Sequence, residues 1–133
     1  QRIGIDDRLA SATVADAMDP PPPAVPADLS LSQTLDRFLR GHEEEAFPVL
    51  EDGNVIGMIS FSSARELGMR DPLRPARDAA IPLEHVLIAH PDERLDEVSA
   101  RLGTERAALV LRYGQLVGAI SGSGVYRWAA RAS

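Results

Sequence analysis

The stretch Ala46 to Ser60, AFPVLEDGNVIGMIS, returns 61 residues later as Ala107 to Ser121, AALVLRYGQLVGAIS. The shift superimposes Val49 on Val110, Leu50 on Leu111, Gly53 on Gly114, Gly57 on Gly118, Ile59 on Ile120 and Ser60 on Ser121. Each copy is an apolar, β-branched run, a polar turn containing Gly, and a second apolar run with an embedded Gly. That order predicts a hairpin of two buried strands. Each hairpin ends on a serine, and the residues beyond it have helical character. The Ser60 and Ser121 hydroxyls are therefore expected where a strand passes into a helix N-terminus, beside unsatisfied N–H groups.

The elements around the hairpins repeat as well. Thr13 to Met18 predicts a short helix capped by Thr13, and the Pro20–Pro23 run ends it and forms a stiff connector. Ala24-Val25-Pro26 reads as a short strand near a sheet edge. Ser30 and Gln33 fit a capping box opening a helix with Leu31, Leu35, Phe38 and Leu39 on one face, closed by Gly41. A helix from Ser62 to Leu67, expected to stop at Gly68, follows the first hairpin. Pro75 to Ala80 then echoes Thr13 to Met18, and His85 to Ala89 echoes the short strand. Leu95, Val98 and Leu102 mark a second helix ending at Gly103, and Ser123 to Ala130 a last one. The expected organisation is a lead-in over 1–12, a first repeat over 13–70 and a second over 71–133, each β-α-β-β-α. A half-sheet with helices on one face leaves its other apolar face uncovered. Duplication into one α/β module answers that.

Composition limits the function. At 44% hydrophobic, 133 residues suffice for a packed interior. No apolar run approaches the roughly 18 residues of a membrane span, so no direct membrane insertion is expected of this segment. The chain opens on Gln1 rather than Met, so it is expected to be part of something longer. A net charge of −6 argues against nucleic acid as a partner. Residues 1–71 carry −7 and residues 72–133 carry +1, which makes the second half the better host for an anion. Absent cysteine excludes thiolate metal sites and nucleophiles, and absent lysine excludes Schiff-base chemistry and a Walker-type phosphate lysine.

No catalytic or metal constellation emerges. His42-Glu43 begins a metalloprotease-like motif, but Ala46 stands where its second histidine belongs, so a solvated loop is expected. Gly122-Ser123-Gly124 has its glycines too close for a nucleophile elbow. Asp92, Glu93, Asp96 and Glu97 read as a solvated acidic face with Arg94 and Arg101 as partners.

The Val14-x-Asp16-x-Met18 lead-in, Phe47-Pro48-Val49, the Gly53 turn and Gly57-x-x-Ser60 before a helix, all repeated, resemble a tandem pair of cystathionine β-synthase (CBS) domains, a Bateman module. The resemblance implies an α/β fold of two tandem β-α-β-β-α repeats packed about a pseudo-two-fold axis. It also implies a non-catalytic regulatory role, homodimerisation through the helices, and a regulatory adenosyl ligand such as AMP, ADP, ATP or S-adenosylmethionine. Ala46 to Val49, Gly57 to Phe61, and the connector through Arg65, Pro72 and Asp78 further resemble the CBS pair of bacterial intramembrane zinc metalloproteases of the site-2 protease family. A cytoplasmic module, tethered to the membrane through a larger parent that carries the effector domain, would follow.

The resemblance implies a site built from Gly57 and Ser60 in the first repeat and Gly118 and Ser121 in the second. Adenine walls would come from Val25, Phe47, Leu87 and Ala108, and phosphate contacts from Arg65 and Arg127. The family's ribose carboxylate is missing: Ser63 and Gly124 occupy its positions. Ser63 can still hydrogen-bond and Gly124 cannot, so the first site is the better ribose candidate. The competing reading is a degenerate pair without ligand, acting as a dimerisation or scaffold element, in which Ser60 and Ser121 only cap helices.

Overall fold

The structure, a computed structural model, describes residues 4–131. Its backbone divides into two compact units: Pro22–Val86, and the residues up to Pro21 together with those from Leu87 onward.

In the Pro22–Val86 unit, β1 (Val25–Pro26) runs parallel to β2 (Ala46–Glu51), which pairs antiparallel with β3 (Asn54–Ser60). The β2–β3 turn places Asp52 and Gly53 at φ of 52° and 81°, the left-handed pair that a two-residue hairpin requires. A bulge between Val49 and Leu50 shifts the register. On the other side of β3 lies β4 (Ile81–Pro82), with Gly57 opposite Pro82 and Met58 opposite Ile81. α3 (Leu31–Thr34) starts at Ser30, whose hydroxyl accepts from Gln33 N–H, and runs into a π-helical turn over Leu35–Leu39. α4 (Phe61–Arg70) follows β3 directly. Val25, Leu31, Leu39, Val49, Ile59 and Ala64 are fully buried together.

Gly68 does not end α4. The helix passes through it, because a Cβ there would stand 2.9 Å from Leu35 Cδ1; the glycine lets α4 approach the π-turn closely. Here a packing requirement overrides the stop signal that glycine gives in sequence.

The second unit has the same plan: β5 (Ile88–Ala89) parallel to β6 (Ala107–Arg112), and β6 antiparallel to β7 (Gln115–Ser121), with a bulge between Val110 and Leu111. α5 (Leu95–Leu102) and α6 (Gly122–Arg131) close on Val110 and Ile120 through Leu95, Val98, Leu102, Val125 and Ala129. The first residues also fold here. α1 (Ile5–Ser11) contributes Leu9 to this core, and α2 (Val14–Ala17) buries Val14. Thr13 opens α2, with its N–H and hydroxyl both directed at the Asp16 carboxylate.

The sequence period and the compact units therefore cut the chain differently. Repeats beginning at 13 and 71 place residues 13–19 with the first hairpin, yet Asp19 bridges Ala119 on β7 through hydrogen bonds of 2.8 and 3.1 Å. Residues 75–82 stay with the first hairpin instead. Leu31 N–H donates to the Arg74 carbonyl at 2.7 Å, Ala76 N–H to Leu29 at 2.7 Å and Arg77 N–H to Ala27 at 3.0 Å. Each lead-in docks on the other repeat's hairpin.

Candidate functional site

In the Pro22–Val86 unit a cavity of about 320 Å³ is lined by Pro23, Arg37, Phe38, His42, Glu45 and Phe47. Phe47 enters from β2, 8% exposed. Its ring meets Phe38 edge-on at 5.9 Å between centroids and His42 at 6.2 Å. Phe38 and Arg37 arrive on the π-helical turn, closed by a 2.8 Å bond from Arg40 N–H to the Leu35 carbonyl. Such turns displace side chains from their α-helical places and recur at functional sites. Gly41, at φ 83°, then turns the chain so that His42 and Glu45 meet, Nδ1 to Oε2 at 2.5 Å. The walls are aromatic and the rim holds one guanidinium, one imidazole and one carboxylate. Among the described residues Arg37 has no ion-pair partner.

The strand-end hydroxyls are engaged locally. Ser60 Oγ accepts from Ser63 N–H at 3.2 Å while Ser63 Oγ accepts from Ser60 N–H at 2.9 Å, a reciprocal capping box at the start of α4. Ser121 Oγ accepts from Gly124 N–H at 3.0 Å, with no side chain at 124 to return the bond. Gly57 and Gly118 accommodate the lead-ins. A Cβ at 57 would collide with the Ile81 carbonyl oxygen, and one at 118 would lie 2.7 Å from both Asp19 O and Met18 Sδ.

The remaining expected residues fall in both units. Val25, on β1, is fully buried and offers no exposed wall. Leu87 is 36% exposed and belongs to the other unit, as do Ala108, almost fully buried, and Arg127, exposed on α6. Arg65 is exposed on α4. The cavity thus gathers only Phe47 from the expected set. It adds Pro23, Arg37, Phe38, His42 and Glu45, which sequence reasoning had placed in a connector, a helix face and a solvated loop. The π-turn that brings Arg37 and Phe38 in has no sequence signature. His42 and Glu45 spaced by three, just after a helix-ending glycine, were the only available hint.

In the second unit, the Asp19 carboxylate Oδ2 lies 4.0 Å from the point where a Gly124 Cβ would be, Arg127 Nη2 lies 3.7 Å from it, and Ser121 Oγ 2.8 Å. On the expected acidic face Arg94 pairs with Asp96 at 2.7 Å and Arg101 with Glu93 at 3.3 Å, while Asp96 Oδ1 is buried with no hydrogen-bond partner among the described residues instead of solvated. Among the described residues no His, Asp or Glu group is arranged to hold a metal ion, and no helix is long and apolar enough to cross a membrane.

Comparison with known proteins agrees with this architecture. A CBS domain matches residues 14–70. The chain is 31% identical over 131 residues to "Putative zinc metalloprotease Rip3" of Mycobacterium tuberculosis, covering 95% of this chain and 33% of that protein. It therefore spans about a third of the length of the curated relatives it matches. Among solved structures, CBSX2 in complex with AMP superimposes with a TM-score of 0.71 at 20% identity, covering 92% of this chain and 98% of that one. The CBS-pair protein CBSX2 from Arabidopsis thaliana gives 0.71 at 21% identity, covering 91% and 96%. The CBS pair of protein MJ0100, in complex with 5′-methylthioadenosine and S-adenosyl-L-methionine, gives 0.63 at 18%, covering 91% and 98%. With two units of one plan and the pair fold matched over nine-tenths of its length, the chain has the fold of a tandem CBS-domain pair, and its residues 14–70 match a CBS domain.

Proposed function

We propose that this pair is a non-catalytic regulatory module that takes an adenosyl ligand and transmits its presence to an effector in a longer parent protein. The observation that carries the reading is the aromatic cavity at Phe47. A volume of about 320 Å³ falls in the range of small-ligand pockets, and apolar walls with a few polar rim groups are their usual lining. Phe47 and Phe38 give an aromatic base a surface on which to stack, and Arg37 gives an anionic tail a counter-charge. CBSX2 in complex with AMP and the MJ0100 pair in complex with adenosyl compounds support the choice of ligand class. The match to a third of Rip3 supports a zinc metalloprotease as the kind of effector. Regulation follows from linkage: a ligand with unequal affinity for two arrangements of the module shifts their populations, and the attached domain responds. The module acts as a homodimer.

A second reading is a dimerisation element without ligand. It is favoured by one observation: the hydroxyls of Ser60, Ser63 and Ser121 are committed to helix caps. Thermal unfolding of the chain with AMP, ADP, ATP or S-adenosylmethionine separates the two. A ligand at a hundredfold excess over its dissociation constant adds about 2.7 kcal/mol of stability. A raised midpoint with one of them supports the sensor. Unchanged midpoints with all four at millimolar concentration leave the dimerisation element.

A further inference from the structure

Asp96, Ser99, Ala100 and Gly103 follow the i, i+3, i+4, i+7 spacing of one helix face, which runs about 10 Å along α5 and its C-cap. That face is incompletely covered. Leu9 from α1 and Tyr126 from α6 complete the walls of a cavity of about 460 Å³. Every lining residue belongs to the same compact unit.

The cavity holds polar groups without partners. Asp96 Oδ2 accepts from Arg94 Nη2 at 2.7 Å, which leaves Oδ1 buried with no donor. Ser99, almost one turn further along α5, is 8% exposed, and its hydroxyl makes no hydrogen bond among the described residues. Buried polar atoms are nearly always paired, because an unpaired one has given up water for nothing. Two of them on one stretch of helix leave this cavity short of hydrogen-bond partners. The other walls are the apolar Leu9 and Ala100, the Gly103 backbone and the exposed phenol of Tyr126.

These walls define a ligand chemistry. An ionised carboxylate only accepts hydrogen bonds, and charged donors make its strongest ones. An ammonium group carries three donors, enough for Asp96 Oδ1 and Ser99 Oγ with one left for water or Tyr126. An alkyl chain behind it suits Leu9 and Ala100. We propose that this cavity is a binding site for a small primary aliphatic amine, with Asp96 and Ser99 holding the ammonium group. It shares no residue with the cavity at Phe47 and does not depend on the adenosyl-ligand reading. An amine seated between α5 and Leu9 also holds α1 in place.

An NMR titration of the chain's backbone amides with n-butylammonium chloride tests it, with 1-butanol and sodium chloride as controls at matched ionic strength. The amine should shift residues 96–103 and 126 saturably, and sodium chloride should not. Because a hydrogen bond to a charged group is lost, 1-butanol should bind at least about tenfold more weakly, and Asp96→Asn should weaken the amine by about the same factor. Ser99→Ala should weaken it by about threefold. Ala100→Leu fills the cavity and leaves both polar groups in place, so it should abolish binding. Ala100 is exposed, so that variant should keep its fold, which unchanged amide positions outside α1, α5 and α6 verify. Saturable binding that survives both Asp96→Asn and Ala100→Leu puts the amine elsewhere and overturns the assignment. Equal affinity for amine and alcohol also overturns it. So does the absence of any saturable shift, the result expected if Arg8, whose Nε is likewise buried without a partner, closes on Asp96 or if a second copy covers this face.

Discussion

Replacing Gly57 with alanine tests whether the strand glycines exist to admit the lead-ins. Gly57 is not among the residues with positive φ, so alanine meets no backbone penalty there. Its Cβ would instead run into the Ile81 carbonyl oxygen and crowd the carbonyl carbon at 3.1 Å. The obstacle is backbone held in register by the Gly57–Pro82 and Met58–Ile81 pairs, so it cannot rotate away. Overpacking of this kind costs about 1–3 kcal/mol, and escape by releasing β4 forfeits ladder hydrogen bonds worth about 1 kcal/mol each. Both routes lead to about 2–3 kcal/mol, or roughly 8–12 °C in Tm for a domain of this size. Gly53→Ala is the matched control. Position 53 has φ 81° and no atom within 4 Å of a would-be Cβ, so only the left-handed penalty of about 1 kcal/mol applies. Thermal melts of both variants, with amide exchange over residues 75–82, give the comparison. Gly57→Ala should be the more destabilising and should speed exchange in that segment. A Gly57→Ala protein no less stable than Gly53→Ala, with 75–82 still protected, would refute the docking argument.

Ser121→Ala removes the acceptor of the Gly124 N–H and should cost about 1 kcal/mol, seen as a lowered melting midpoint and faster exchange in the first turn of α6, with Thr at 121 retaining most of the stability. Phe47→Leu keeps an apolar side chain in the core but removes the edge contacts with Phe38 and His42; the fold should persist in circular dichroism while the ligand-induced rise in Tm disappears. Arg74 hydrogen-bonds Asp78 at 2.8 Å, and that bond holds its guanidinium above the ordinary value. A raised folded value gives stability below the unfolded value that is lost as pH rises through the folded one. Both lie in the strongly alkaline range, so Asp78→Asn should leave the stability profile between about pH 5 and pH 8 unchanged in shape, as melts across that window will show.

The hairpins were legible because three signals coincide in each: β-branched runs, a turn glycine, and a serine before a helical stretch. The duplication then carried the α/β architecture and the family resemblance. Gly68 was misread because a glycine that ends a helix and one that lets two helices touch look alike in sequence; only Leu35, thirty-three residues away, distinguishes them. The exchange of lead-ins was invisible for a related reason. It depends on Arg74, Ala76 and Arg77 hydrogen-bonding back to residues 27–31 through backbone groups that every residue possesses. Of the expected site, Phe47 was readable as an aromatic at a strand start. The π-turn that sets Phe38 beside it was not, since nothing in residues 35–39 marks such a turn in sequence.

Amide hydrogen exchange of the wild-type chain with and without saturating AMP tests the central claim most directly. Ligand in the aromatic cavity predicts slowed exchange across the π-turn and the loop into β2, residues 37–47, with the hairpin tip at Asp52–Gly53 unchanged. Identical exchange over 37–47 in the two samples, at AMP concentrations up to millimolar, would contradict the account.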